Sequence, residues 1–308
     1  MTEVATWLPG ARVLVTGGAG LIGRATVRAF AEAGATVTVF DSVESDVIGA
    51  REFVVGDICD EASVRSAVAN QDVVVHLAGV PGLEFESATT TYRVNTVGTF
   101  TVLLAAAEAG IARIVYASSI NAAGWPLNPR GVMPPSFPFD EDSEPEVGDW
   151  YSLSKAANEA AAAMIRDRFS VAVTGLRFPL VRDIVGDPAT FALHLDNLMR
   201  SDRRRAACEG WSYLDTSDAG RACVLAASAA RSDGPGILVA APHTYVTEST
   251  AHALALEAPE VPRTPVAGRE VPINLNRART FLGFEARVVL DDVAPECLVS
   301  LADYPEVS

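Results

Sequence analysis

Positive charge is scarce in this chain: 24 lysines and arginines face 39 aspartates and glutamates, leaving a formal net charge of -15. A surface that acidic repels phosphate backbones and anionic lipid, which excludes nucleic acid and a membrane face as partners. Long apolar runs are missing as well, since no stretch reaches the roughly 18 uninterrupted apolar residues that a membrane span needs. The segment Met1–Gly10 has no basic region followed by an apolar run, so a secretory leader is not expected and the protein is placed in the cytoplasm. Cysteine is sparse: Cys59, Cys208, Cys223 and Cys297 lie far apart with no CxxC pair, which excludes a disulfide framework and predicts reduced thiols and no metal centre. Arg203, Arg204 and Arg205 form the one obvious basic run. It reads as a solvated helix end, with a local pocket for an anionic small molecule as the alternative.

What is present is alternation. Short β-branched runs at 12–16, 36–41, 52–55, 72–78, 113–118 and 171–177 alternate with Ala-rich helical stretches at about 21–33, 61–69, 96–109 and 151–169. Strands that cross over through helices build a parallel sheet with helices on both faces, so the expected class is α/β, a doubly wound sheet of the Rossmann kind. Residues 125–149 interrupt the pattern with Pro126, Pro129, Pro134, Pro135, Pro138, Pro145 and several acids, and read as a long loop rather than a core element. Beyond Arg177 the alternation becomes irregular. The expected division is therefore a dinucleotide-binding domain over 1–177 and a smaller, irregular α/β substrate-binding domain over 178–308.

Residues 16–23 read Thr-Gly-Gly-Ala-Gly-Leu-Ile-Gly, with Gly17, Gly20 and Gly23 spaced three apart between the first strand and the first helix. Such a turn lets a pyrophosphate approach the backbone and rest on the helix N-terminus, beside Leu21 and Ile22, where free N–H groups favour anions. Asp41 ends the second strand, where a carboxylate accepts from both adenosine ribose hydroxyls and repels a 2′-phosphate; the expected cofactor is NAD rather than NADP. Asp57 and Ile58, after the third strand, suit the adenine or form an ordinary turn. Leu77, Ala78 and Gly79 close the fourth strand with space for the cofactor, and His76 reads as a packed strand residue.

Tyr151 and Lys155 are four apart at the start of a helix and share one face. A lysine beside a tyrosine, helped by a cationic nicotinamide, is expected to draw the phenol toward neutrality, so that Tyr151 exchanges the hydroxyl proton as hydride moves. Ser119, past the fifth strand, stands at the carboxyl edge of the sheet, where α/β ligands bind.

These motifs, with Val-Asn-Thr-Val-Gly-Thr at 94–99, Tyr-Ala-Ser-Ser at 116–119 and Tyr-Ser-Leu-Ser-Lys at 151–155, resemble the extended short-chain dehydrogenase/reductases, also called the NAD-dependent epimerase/dehydratase family. The resemblance covers roughly residues 12–182. It implies that Ser119, Tyr151 and Lys155 are catalytic, and that Ser119 rather than Ser118 holds the substrate oxygen, being five residues before Gly124. It also implies that Asn95 supports the sheet and its bound water or cofactor, that Lys155 bonds the nicotinamide ribose, that the backbone of the Phe178, Pro179 and Val181 turn receives the carboxamide, and that Asn121 touches substrate with Ser119 and Tyr151. A homodimer packed through the helices near 96–109 and 151–169 is a further implication.

The family's dehydratases carry Asp-Glu after the catalytic hydroxyl, where this chain has Ile120 and Asn121, so dehydration is not expected. Epimerisation of a sugar or nucleotide sugar through a transient ketone is expected first, and Trp211–Asp215 with Asp218 resembles a segment found in such relatives. Ala123 in place of a tyrosine before Gly124 counts against it. The alternatives are net oxidation or reduction of a non-nucleotide sugar or sugar acid, as in uronate dehydrogenases, and a catalytically silent NAD-binding regulator.

Overall fold

Val and Ile pack well on a pleated surface covered on both sides, and the β-branched runs form strands accordingly. The computed structural model describes residues 7–229, 234 and 236–304. The first six strands are β1 (Arg12–Thr16), β2 (Thr36–Asp41), β3 (Ala50–Val55), β4 (Val73–His76), β5 (Arg113–Ser119) and β6 (Ala172–Phe178). Between them run α1 (Leu21–Glu32), α2 (Glu61–Val68), α3 (Ala88–Arg93), α4 (Thr99–Glu108) and α5 (Trp150–Phe169). A π-helical turn, Val94–Gly98, joins α3 to α4. The 96–109 helix of the sequence reading therefore starts earlier, with α3 capped by Ser87.

The chain continues with β7 (Leu180–Arg182), α6 (Pro188–Ser201), α7 (Arg203–Cys208), β8 (Tyr213–Asp215), α8 (Thr216–Ser228), β9 (Ile237–Leu238), α9 (Thr250–Glu257) and α10 (Leu290–Val293). Seven strands form one parallel sheet in the order β3-β2-β1-β4-β5-β6-β9, and β7 pairs with β8 in a small second sheet. The order reverses between β1 and β4, which opens a crevice at their carboxyl ends. Alternation along β1 sends Val13 and Val15 to the face covered by α1 and α8, and Leu14 to the face covered by α2, α4 and α5.

The division at residue 177 follows the chain rather than space. β9 extends the main sheet beside β6. α8 packs on α1 so tightly that a Cβ on Gly220 would lie 2.6 Å from the Ala25 carbonyl oxygen. Residues 125–149 also depart from expectation: the segment is irregular, yet Trp125, Phe137 and Phe139 are fully buried in the core of the second part. Prolines stop it from forming a regular ladder, and single bridges tie it down instead, Phe137 to Arg263 and Phe139 to Ile273. Among the described residues no helix is long and apolar enough to cross a membrane, and no group of metal-ligating side chains converges.

Candidate active site

The glycine turn shows why those positions lack side chains. Gly17 has φ +69°, and a Cβ there would meet the Ala78 backbone nitrogen at 2.5 Å; one on Gly23 would lie 2.0 Å from the Gly17 oxygen. The turn is pressed onto the end of β4, and α1 begins immediately at the crevice. Its N-cap is Gly20, with no side-chain cap, whereas Asp60, Asp149, Asp187 and Asp215 cap α2, α5, α6 and α8. A helix start without a side-chain acceptor, reached by a close-packed glycine turn, fits a bound pyrophosphate at Leu21 and Ile22. Asp41 Oδ2 accepts from Ala19 N at 3.0 Å and Oδ1 from Ser42 N at 2.8 Å, so the carboxylate stands beside that turn. Asp57 Oδ1 accepts from Cys59 N at 2.9 Å, which makes an ordinary turn there, and Ile58 packs into the core against Gly98. The side chains of Phe178 and Val181 lie in the core as well.

Asn95 is buried and bonded wholly within the protein. Its Oδ1 accepts from Val80 N at 2.7 Å, while Nδ2 donates to Val80 O and Ser154 Oγ. The residue ties the loop after β4, with Ala78 and Gly79, to α5. A second buried chain runs from Thr16 to His76 Nδ1 (2.7 Å), from His76 Nε2 to Thr99 (2.9 Å), and from Asn158 to Thr99 (3.1 Å). Burial holds the His76 imidazole far below its ordinary range, at about 3, with Lys155 acting in the same direction, so it is a neutral packed strand residue.

α5, which carries Tyr151 and Lys155, is fixed at its start by Asp149, which accepts from Ser152 N at 2.8 Å. Lys155 Nζ donates to Ala117 O of β5 at 3.0 Å and lies 5.7 Å from the centre of the Tyr151 ring. Lys155 is the only lysine in the chain, a signal the motif reading did not use. Ser119 Oγ accepts from Asn121 N at 3.1 Å and Asn121 Nδ2 at 3.3 Å, leaving Asn121 Oδ1 buried without a partner among the described residues. Ser118, by contrast, donates to Glu159 at 2.6 Å, and Glu159 pairs with the buried Arg177. Its hydroxyl is engaged by the α5 carboxylate Glu159, which leaves Ser119 as the serine that bonds Tyr151.

The electrostatics depart from the expected trend. Burial pushes Tyr151 up to about 12, although a hydrogen bond with Ser119 and the charge of Arg205 oppose it, and burial lowers Lys155 to about 8. Desolvation thus outweighs the hydrogen bond and the positive charge near the phenol, which stands above its ordinary value.

The basic run 203–205 is no solvated helix end. Arg203 pairs with Glu257, Arg204 donates to the carbonyls of Trp125, Pro126 and Val132, and Arg205 Nε lies 2.9 Å from Glu209. Sequence reading also missed Arg182 and His194, whose side chains meet at 3.0 Å. No spacing marks that pair, since β7 and α6 bring the two residues together only in space.

The chain is 32% identical over 172 residues to an L-arabinose 1-dehydrogenase (NAD(P)(+)) of Haloferax volcanii, covering 54% of this chain and 66% of that protein. It is 26% identical to a uronate dehydrogenase of Pseudomonas putida, covering 76% of this chain and 95% of that one. A crystal structure of a short-chain dehydrogenase/reductase superfamily protein from Agrobacterium tumefaciens with bound NAD superposes with a TM-score of 0.71 at 24% identity, covering 93% and 96% of the two chains. The model of the NAD dependent epimerase/dehydratase family matches residues 13–183. The chain belongs to that family, the extended short-chain dehydrogenase/reductases.

Proposed function

We propose that this protein is an NAD-dependent oxidoreductase that acts at a secondary hydroxyl or ketone of a sugar, with Ser119, Tyr151 and Lys155 as the catalytic group. The observation that carries the reading is the placement of Lys155, held by Ala117 O against the Tyr151 ring, with Ser119 beside the phenol. NAD, when bound, supplies the hydride acceptor. Gly17, Gly20 and Gly23 give its pyrophosphate access to the start of α1, and Asp41 accepts from its ribose, favouring NAD over NADP. Ser119 holds the substrate oxygen, Tyr151 takes its proton, and Lys155 stabilises the phenolate that results. Asn121 Oδ1 accepts from a further substrate hydroxyl.

Of the reactions open to such a group, net oxidation of an unactivated sugar is favoured by the two dehydrogenases above. Epimerisation of a nucleotide sugar is the second reading, supported by the segment from Trp211 to Asp218. Purified protein with NAD and a panel of sugars separates the two: growth of absorbance near 340 nm reports net oxidation, and interconversion without it reports epimerisation. Neither outcome across a broad panel would leave a silent dinucleotide-binding protein and remove the reading. A homodimer through α4 and α5 belongs to the same proposal, supported by the exposed Val97, Phe100, Leu153 and Met164 on or beside those helices. A monomer mass in light scattering at micromolar concentration would remove it.

A further inference from the structure

The chain leaves the site at Ser119 and returns to it at Tyr151, and the excursion between is irregular. Its two ends are fastened to each other. After the turn Ile120–Ala123, Gly124 has φ +84°, and a Cβ there would lie 2.5 Å from Val147 Cα. Glu146 N donates to Ala123 O at 2.8 Å, and Asn128 Nδ2 to Glu146 O at 2.7 Å. Asn128 is buried, and a Cβ on Gly148 would strike its amide group at 2.6 Å. The outgoing segment therefore sets the place of residues 144–148, which run directly into Asp149, the cap of α5, and on to Tyr151. It sets Ser119 as well, because Asn121 N and Nδ2 both donate to that hydroxyl.

One guanidinium holds the outgoing segment. Arg204, on α7, donates through Nη1 to Trp125 O at 3.2 Å and Val132 O at 2.8 Å, and through Nη2 to Pro126 O at 2.7 Å and, more loosely, to Asn128 O at 3.5 Å. Two turns, Asn128 N to Trp125 O and Gly131 N to Asn128 O, bend the chain into the arc that brings these carbonyls together. Arg203 and Arg205 pair with Glu257 and Glu209, whereas Arg204 has no carboxylate partner among the described residues. Carbonyl dipoles aimed at one point repel each other unless a cation stands there, so a loop of this shape closes around the charge. An arginine of the second part thus braces the segment that joins Ser119 to Tyr151.

We infer that Arg204 is a positioning residue for the Ser119 and Tyr151 pair, acting on both hydroxyls through the loop it closes. This rests on the redox reading of the same site, and it adds a residue to that machinery. Hydrogen exchange of the full chain, followed by mass spectrometry, reads the loop without any substrate. Arg204→Gln leaves the carbonyls without a cation and is expected to speed exchange about tenfold or more in peptides spanning 120–128 and 144–148, the scale of hydrogen bonds to a charged group. Peptides from β1 and α1 should keep their protection. Arg204→Lys, which keeps the charge without the fork, should fall between, and it carries the test if the glutamine variant does not fold. In turnover with NAD and the sugar panel, Arg204→Gln should lower kcat about tenfold with NAD affinity unchanged. Combined with Ser119→Ala it should lose less than the product of the two single losses, since both changes act on the same hydroxyl. Unchanged exchange in the two segments, a rise spread evenly over the chain, multiplicative losses in the double variant, or failure of both Arg204 variants to fold would overturn the inference. No NADH from any sugar with the unaltered protein removes the redox reading instead, and the exchange result, which needs no turnover, tells the two failures apart.

Discussion

The clusters on the two faces of the main sheet are built mostly from Val, Leu, Ile and Ala, whereas the core of the second part gathers Trp125, Phe137, Phe139, Phe191, Trp211, Tyr213 and Tyr245. Regular strands present side chains at a fixed period, so modest aliphatic groups fill the layer without gaps. Irregular chain has no such period and closes its core with large rings that each bury more area. The groups proposed for chemistry lie at the ends of regular elements, Ser119 as the last residue of β5 and Tyr151 in the first turn of α5. β7 and α6, the short strand and the helix that follow β6, carry Arg182 and His194, whose side chains meet only in space. Rigidity and variety are thus separated along the chain.

Replacements in the two regions should fail differently, and the largest effects test that most directly. Tyr151→Phe removes one oxygen at the sheet edge and is expected to lower kcat about 10²- to 10⁴-fold, roughly 3 to 5 kcal/mol of barrier, with the melting temperature unchanged. More than a tenth of the activity remaining on the true substrate would end the assignment. Trp211→Ala in the aromatic core should do the reverse, costing about 3 to 5 kcal/mol of stability, read by denaturant unfolding with NAD affinity measured in parallel. A loss under about 1 kcal/mol would mean that the second core tolerates voids and that the contrast drawn here is wrong.

Lys155 joins stability to chemistry. A lysine whose folded value is lowered from 10.5 to about 8 destabilises the fold while charged; the cost is full below about pH 8, fades as pH rises, and is gone near the unfolded value. Lys155→Met should therefore stabilise the ligand-free protein by about 2 kcal/mol at pH 7, with the gain vanishing toward pH 10.5, while turnover is lost. Because the chain has one lysine, ¹⁵N-lysine labelling yields one side-chain resonance, expected to titrate near 8. A midpoint at the ordinary value would refute the argument from burial. Asp41→Arg should shift affinity from NAD toward NADP by about tenfold, the scale of one charged hydrogen bond, and comparable affinities in the unaltered protein would contradict the premise. The smallest effect belongs to Asp60→Ala, which removes the cap of α2 at about 1 kcal/mol. Thermal unfolding should register it without any change in dinucleotide binding, in contrast to α1, where Gly20 leaves that place open.

The sheet was legible because Val and Ile runs and glycine spacing are local signals, and the six expected strands and the crevice at β1 and β4 follow from them. Ser119 was set apart from Ser118 by the family resemblance alone, through its place five residues before Gly124. What escaped reading was set by distance along the chain. β9 supplies two residues to the sheet, too few to announce a strand. Trp125, Phe137 and Phe139 sit among prolines that argue for a loop, and only partners at Arg263 and Ile273 turn that segment into core. The trend of Tyr151 was misjudged because proximity to Lys155 is visible in a motif and burial is not.

The seventh strand also bears on how the chain is made. Until residues 237 and 238 emerge, the outer edge of β6 carries unpaired amide and carbonyl groups, and an open strand edge invites pairing with other chains. For some 60 residues of synthesis, between Phe178 and Ile237 in the sequence, the ribosome would hold a nearly complete sheet with one border unsealed. All of α6, α7 and α8 is translated in that interval, so α8, which packs on α1, is complete before the border can close. The last strand of the sheet works as a latch on a nascent chain, and its shortness leaves little ladder to hold the latch shut.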